Sequence, residues 1–68
     1  MIEFTLEGDY IKLDQLLKAV SIADSGGQAK HLIVTGMVKV NGTVATERGK
    51  KIRQGDEVLC DRQLIRVI

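Results

Sequence analysis

The sequence predicts an α+β fold with an N-terminal strand, two short helices and then a small mixed or antiparallel sheet of hairpins. Three observations support this prediction. Apolar and polar residues alternate near the N-terminus, as they do in a strand with one buried face. Apolar residues then recur at helical spacing, and an Asn-Gly pair, the strongest short hairpin signal, follows. The length of 68 residues predicts one domain, 1–68, that buries roughly 60% of the surface of its unfolded chain.

The N-terminal strand and the first helix are predicted from a change of period. Ile2, Phe4 and Leu6 alternate with polar residues, which indicates a strand. From Lys12 onward the apolar residues fall at i, i+3, i+4 and i+7, so they line one side of a helix that leaves Lys12 facing water. These apolar residues are Leu13, Leu16, Leu17 and Val20.

The second helix is predicted to begin at a capping box. Ser25 can accept a hydrogen bond from an early helix amide, and Gln28 can reach back to the amide of Ser25 itself. Gly36 is the predicted end of the helix, because glycine adopts the left-handed conformation that terminates many helices. The apolar side of this helix consists of Ala29, Leu32 and Ile33.

Two hairpins are predicted in the second half of the chain. Residues 37–40 alternate in polarity and lead into Asn41-Gly42, a pair that tolerates positive φ, so we expect Asn41 to be a turn former. Residues 57–67 indicate a second hairpin around Asp61-Arg62, with Cys60 as a small buried residue.

Positive charge is concentrated in one segment of the chain. Ten Lys plus Arg oppose nine Asp plus Glu, so the formal net charge is only +1. Residues 30–53, however, contain six basic residues and a single acidic one, Glu47. Such a field steers polyanions even when the net charge is small. The same residues would also fit an ordinary solvated loop. The six basic residues are Lys30, Lys39, Arg48, Lys50, Lys51 and Arg53.

Composition argues against several classes of function. Cys60 is the only cysteine and His31 the only histidine, so we expect no disulfide and no metal site, and a reducing, cytoplasmic setting fits best. The sequence contains no catalytic nucleophile with a matching base and no phosphate loop, so we expect no enzyme, no cofactor and no small-molecule substrate. No apolar stretch approaches the roughly 20 residues that span a bilayer, and we expect no membrane association.

Several spaced motifs occur together in this chain. They are Lys12-Leu13-Asp14, the segment from Ser25 to Gly36, the segment from Val38 to Gly42, and Gly55-Asp56. In this combination the chain resembles the alpha-L RNA-binding domain, which is named after ribosomal small-subunit protein four. Because no catalytic domain is attached, it is most similar to the small stand-alone bacterial members of the YaaA/YbcJ type.

The resemblance implies a non-catalytic, monomeric protein that acts in translation. It would bind structured RNA, either ribosomal or transfer RNA, through backbone and shape contacts, with the ribosome or its proteins as further partners. Lys12 stands where the family has an arginine, Lys30 stands where it has a basic residue, and Gly26 replaces an arginine of many members. The expected RNA contacts are Lys12, Gly26, Gly27, Lys30, His31, Lys39, Arg48, Lys50, Lys51 and Arg53.

Gly26 and Gly27 allow two interpretations. They can leave amides accessible at the start of the second helix, where the free donors and the helix dipole favour a phosphate. They can instead let the two helices approach closely or turn the chain sharply.

Two further expectations concern the partner. Only Phe4 and Tyr10 are aromatic, and Phe4 belongs to the buried face, so there is no row of rings for single-stranded bases. Sequence-specific reading of unpaired RNA is therefore not expected. The alternative function is a protein-interaction module that docks on a ribosomal or RNA-processing partner.

Overall fold

The computed structural model describes residues 1–68 as two helices, a five-stranded sheet and a two-stranded ribbon. The predicted α+β order of a strand, two helices and then hairpins is confirmed. In chain order the elements are β1 (Ile2–Phe4), β2 (Ile11–Lys12), α1 (Leu13–Ala19), α2 (Gly26–Val34), β3 (Val38–Val40), β4 (Thr43–Val44), β5 (Lys51–Ile52), β6 (Glu57–Cys60) and β7 (Gln63–Val67).

The larger sheet is mixed and has the strand order β1-β7-β6-β3-β4. β1 runs parallel to β7, whereas the other neighbouring strands are antiparallel. β1 is shorter than the alternation of apolar residues predicts, but backbone bonding continues beyond it. The N–H of Leu6 donates to the carbonyl of Ile68 at 2.8 Å, and the N–H of Ile68 donates to the carbonyl of Phe4 at 2.8 Å.

One face of this sheet is buried beneath the helices. The inward residues of β3, β6 and β7 join those of both helices in a single cluster of 14 buried residues. Leu16 and Ile65 are members of this cluster, and each fully buried side chain of this size stabilises the fold by about 1.5–3 kcal/mol. The outward residues Lys39, Leu59 and Arg66 are exposed. We call this second side of the sheet the open face.

Helix α2 begins and ends where the sequence predicts, with one difference in its capping. Ser25 is the N-cap, and its Oγ accepts the N–H of Gln28 at 3.1 Å. Oε1 of Gln28 accepts the N–H of Asp24 at 2.6 Å, so the expected bond to the amide of Ser25 is wrong. The extended backbone at Ser25 presents the N–H of the preceding residue to Gln28. At the other end Gly36 has a φ of 82°, as predicted for a helix stop.

Both predicted hairpins are present. Asn41 and Gly42 have φ values of 51° and 85° and join β3 to β4, which is the pattern of a type I′ turn. The second hairpin joins β6 to β7, with Cys60 paired to Gln63 on either side of the predicted turn.

The sequence does not predict the ribbon formed by β2 and β5. Ile11 pairs with Ile52, and Lys12 pairs with Lys51. Each strand has two residues, too few for alternation to indicate a strand. Ile52 is fully buried, so the inner side of the ribbon belongs to the core.

Candidate nucleic-acid interface

The outer side of the ribbon gathers three basic side chains around one tyrosine. Lys12 and Lys51 are directly opposite each other and exposed, on the side away from Ile52. Tyr10 immediately precedes β2 and Arg53 immediately follows β5, each two residues from the lysine of its own segment, and both cations Lys51 and Arg53 lie over the Tyr10 ring on this side. We call Tyr10, Lys12, Lys51 and Arg53 the ribbon cluster.

The ring of Tyr10 contacts two of these cations. Nζ of Lys51 lies 4.9 Å from the ring centroid, and Cζ of Arg53 lies 5.9 Å from it. The negative face of an aromatic ring attracts a cation without neutralising its charge. Both charges therefore stay available to an anion while the ring limits their movement.

No carboxylate pairs with the cations of the ribbon cluster. The ion pair in the structure joins Arg66 to Glu57 at 3.0 Å, on the open face of the sheet. Like charges directly opposite each other destabilise a pair of strands, so the juxtaposition of Lys12 and Lys51 works against folding. The result is uncompensated positive charge facing solvent.

Backbone hydrogen bonds hold the basic loop against the start of α1. The N–H of Leu13 donates to the carbonyl of Lys50 at 2.9 Å, and the N–H of Asp14 donates to the carbonyl of Arg48 at 3.1 Å. Amides of the first helical turn have no partner within their own helix, and here the loop satisfies two of them. The predicted contacts Arg48 and Lys50 are thus brought to the same helix end as Lys12.

Arg53 is held in place by a hydrogen-bonded link between two turns. The carboxylate of Asp56 accepts the N–H of Arg53 at 2.8 Å and Nδ2 of Asn41 at 3.0 Å. Oδ1 of Asn41 accepts the N–H of Glu57 at 2.9 Å. We call this arrangement the Asn41–Asp56 clamp. Asn41 is therefore a turn former, as predicted, and it also connects two of the motifs on which the resemblance rests.

The predicted contacts on α2 lie on its surface. Lys30 and His31 are exposed there. A Cβ added at Gly26 would meet nothing within 4 Å, and one added at Gly27 would meet only Oγ of Ser25 at 3.9 Å. Neither glycine has a positive φ. The interpretation that these glycines permit close helix packing or a sharp turn is therefore wrong.

Lys39 lies apart from the ribbon cluster. It points outward, as predicted, but onto the open face, where Leu59 and Val44 are its neighbours on adjacent strands. That face is turned away from the helices, because Val38 and Val40 on the other side of β3 are buried in the core. The expectation that Lys39 extends the same basic surface is corrected accordingly.

Cys60 is buried, as predicted, with 3% of its surface exposed. Burial raises the pKa of its thiol, and the charge of the neighbouring Asp61 raises that pKa further. No three His, Cys, Asp or Glu side chains are grouped so as to hold a metal ion. Neither helix has the length and apolar character needed to cross a bilayer.

Sequence reasoning missed Tyr10 as a part of the site. The spacing of two residues between Tyr10 and Lys12, and again between Lys51 and Arg53, is the signal that could have found it. That signal becomes informative only once the two segments are known to pair.

A protein-family model described as the S4 domain matches residues 4–68. The chain belongs to the S4 domain family. This S4 domain is 43% identical to YbcJ of Escherichia coli (strain K12) over 49 residues, which cover 72% of this chain and 70% of that protein. YbcJ of Shigella flexneri matches with the same identity and coverage.

Two solved structures resemble the S4 domain described above. The solution structure of YbcJ from E. coli, described as revealing an alpha-L motif involved in RNA binding, has a TM-score of 0.78 and 36% identity, and the match covers 100% of this chain and 87% of that one. The predicted kinship with the alpha-L domain and with YbcJ is therefore confirmed. A crystal structure of a pseudouridylate synthase has a TM-score of 0.74 and 25% identity, and covers 82% of this chain. It matches only 24% of the synthase chain, so the likeness concerns one part of that enzyme.

Proposed function

We propose that this S4 domain is a non-catalytic protein that binds structured RNA, either ribosomal or transfer RNA, through its phosphate backbone. The observation that carries the proposal is the ribbon cluster, in which cations without acidic partners are held on one exposed side. The likeness to YbcJ, whose structure is described as containing a motif involved in RNA binding, supports the same class of ligand.

The chemistry of the cluster favours phosphate over base edges. Lysine is a point charge on a flexible stem, suited to backbone oxygens, while Arg53 can bind a phosphate with two parallel bonds. Double-stranded RNA is recognised mainly by shape and by its phosphates and hydroxyls. The proposed interface comprises the ribbon cluster and loop residues Arg48 and Lys50. It extends to Lys30, His31 and the first-turn amides of Gly26 and Gly27 on α2.

The proposal predicts how strongly salt weakens the binding of RNA. Each phosphate neutralised by a cation releases counterions, which makes binding weaker as salt rises. If Lys12, Lys30, Lys50, Lys51 and Arg53 each neutralise one phosphate, the log-log slope of affinity against salt is roughly −3.5 to −4.5, at about 0.7 to 0.9 per contact.

The test is a double substitution, Lys12→Gln with Lys51→Gln, compared with wild type by fluorescence anisotropy on labelled structured RNAs. We expect the affinity to fall by at least about tenfold at low salt and the slope to become shallower by roughly 1.4 to 1.8, because two phosphate contacts are lost. Since these contacts carry no sequence information, the loss should be similar for unrelated RNAs.

The matched control is Lys18→Gln with Lys39→Gln. It removes the same charge from exposed lysines at the last turn of α1 and on the open face. This control should retain most of the affinity. Equal losses in the two double variants would mean that net charge alone drives binding, and a wild-type slope near zero would remove the proposal.

The proposal includes the setting in which the domain acts. We propose that residues 1–68 form a single domain that acts as a monomer in the cytoplasm. Its partners there, besides RNA, would be the ribosome or ribosomal proteins. Crosslinking followed by sequencing of the bound RNA distinguishes ribosomal from transfer RNA.

One observation favours the alternative, a protein-interaction module. Met37, Val44 and Leu59 are 45%, 48% and 37% exposed, and the latter two flank Lys39 on the open face. A ribosomal or RNA-processing protein captured at high salt and retained after RNase treatment would support this second function. Loss of the partner after RNase treatment would leave RNA as the ligand.

A further inference from the structure

Tyr10 has an unusual position for the single tyrosine of this chain. The side chain is 41% exposed, although an aromatic ring of this size usually contributes its area to a core or an interface. Phe4, the other aromatic residue, packs against the core. The exposed ring thus lies in the middle of the cations proposed to bind phosphate.

The surroundings of the ring match the parts of one nucleotide. Lys51 and Arg53 both contact the ring, at 4.9 Å and 5.9 Å from its centroid, and no carboxylate competes for either charge. They are two residues apart in the chain, about 6.6 Å for an extended backbone, which leaves room for one nucleotide between the phosphates that they would hold. Unpaired RNA bases stack on aromatic rings and on arginine guanidinium planes.

We infer that Tyr10 stacks on one unpaired base of the bound RNA, while Lys51 and Arg53 hold the phosphates on either side of that nucleotide. The inference rests on the proposed function and adds the kind of RNA to it. A base inside a duplex cannot reach the ring, so the target must carry a bulged or looped nucleotide next to its paired backbone. One ring takes one base, which differs from the row of rings used by proteins that bind long single strands.

Two RNA hairpins test the inference, identical except that one carries a single-nucleotide bulge in its stem. Wild type should bind the bulged hairpin more tightly, by at least about fivefold, as expected for one stacked base. Tyr10→Leu should bind the two hairpins with equal affinity, whatever it loses on the fully paired one through the release of Lys51 and Arg53. Tyr10→Phe, which keeps the ring, should retain the preference.

A spectroscopic readout separates stacking from charge. The base analogue 2-aminopurine, placed in the bulge, loses fluorescence when it stacks. Wild type and Tyr10→Phe should quench this fluorescence at saturation, whereas saturating Tyr10→Leu should not. Urea unfolding of each variant, followed by circular dichroism, shows that the compared proteins are folded.

Three outcomes would overturn the inference. Equal affinity of wild type for both hairpins would show that no unpaired base is recognised. Equal weakening of both hairpins by Tyr10→Leu, with quenching preserved, would show that the ring only positions Lys51 and Arg53. If wild type bound neither hairpin even at low salt, the proposed function itself would fail, which is distinct from the first two results.

Discussion

Cys60 is the residue whose environment most clearly changes its ionisation. Its pKa is raised chiefly by burial in β6 and further by the negative charge of Asp61, since both disfavour the thiolate. The thiolate is the reactive form of cysteine, so a raised pKa leaves the side chain inert at neutral pH. This residue therefore acts as a small apolar group of the core.

The raised pKa of Cys60 predicts how the free energy of unfolding depends on pH. Below the ordinary value of 9.0 the thiol is protonated in both states, and its contribution to stability is fully present. As the pH rises above that value the unfolded chain loses the proton first, so stability falls through the folded-state pKa. Urea unfolding at a series of pH values should show this fall in wild type.

The control for this prediction is Cys60→Ala. This variant has no thiol to titrate, so its stability should decline less steeply over the same alkaline range. The other titrating groups are common to both proteins and cancel in the comparison. Parallel pH profiles for the two proteins would contradict the prediction.

At the scale of elements, the ribbon is unstable by itself and is held in place by contacts with the rest of the fold. Two strands of two residues, with lysines directly opposite each other, would not persist alone. The buried Ile52, the bonds from the amides of α1 and the Asn41–Asp56 clamp hold the ribbon in place. The two opposed lysines cost stability in the free protein, and an anionic ligand bound between them would offset that cost.

From the pairing of Lys12 with Lys51 we expect Lys12→Glu to raise the stability of the fold and to lower its affinity for RNA. This change replaces a like-charge pair with an opposite-charge pair across the ribbon and adds a negative charge at the start of α1, where the helix dipole favours it. Urea unfolding at low salt should show a gain of a few tenths of a kcal/mol, which shrinks at high salt. RNA affinity should fall in the same protein.

Lys39→Glu serves as the comparison for Lys12→Glu. Its neighbours on adjacent strands are Leu59 and Val44, so no like-charge pair is relieved. We expect little change in stability. An equal gain in both variants would attribute the effect to overall charge and not to the ribbon.

Elements that depend on residues close together in the chain could be predicted from the sequence, whereas those that depend on the pairing of distant segments could not. The helices and the hairpins follow from period and turn residues close together in the chain, such as Asn41-Gly42. The pairing of β2 with β5 joins segments far apart in sequence, so neither the ribbon nor the role of Tyr10 is visible locally. Charge and family position predict Lys12 and Lys51 as contacts, whereas the separate location of Lys39 depends on the layering of the sheet.

At the scale of the whole molecule, one core connects all parts of the fold. The buried cluster includes Leu13 from α1, Ile33 from α2, Val58 from the sheet and Ile52 from the ribbon. The ribbon that carries the candidate site therefore shares its apolar contacts with the sheet and the helices. We propose that residues 1–68 unfold as one cooperative unit.

Two probes can test this cooperativity. Tyr10 is the only tyrosine and there is no tryptophan, so intrinsic fluorescence reports on the ribbon alone, while far-ultraviolet circular dichroism reports on the helices and the sheet. Urea transitions from the two probes should coincide, with an m-value near the low end of the usual range, at about 1 kcal/mol/M. A fluorescence transition at clearly lower urea would mean that the ribbon detaches before the rest unfolds.

The Asn41–Asp56 clamp has a consequence for interpreting related sequences. The polar side-chain atoms of Asn41 and Asp56 bond to one another and to backbone amides. The motifs Asn41-Gly42 and Gly55-Asp56, by which such chains are recognised, therefore stabilise the fold and do not themselves indicate a ligand. A homologue could have glutamate at the positions of Lys12 and Lys51, keep both motifs and retain the same fold. Such a homologue would repel RNA, and the charges of its residues on β2 and β5 would show that the binding surface is lost.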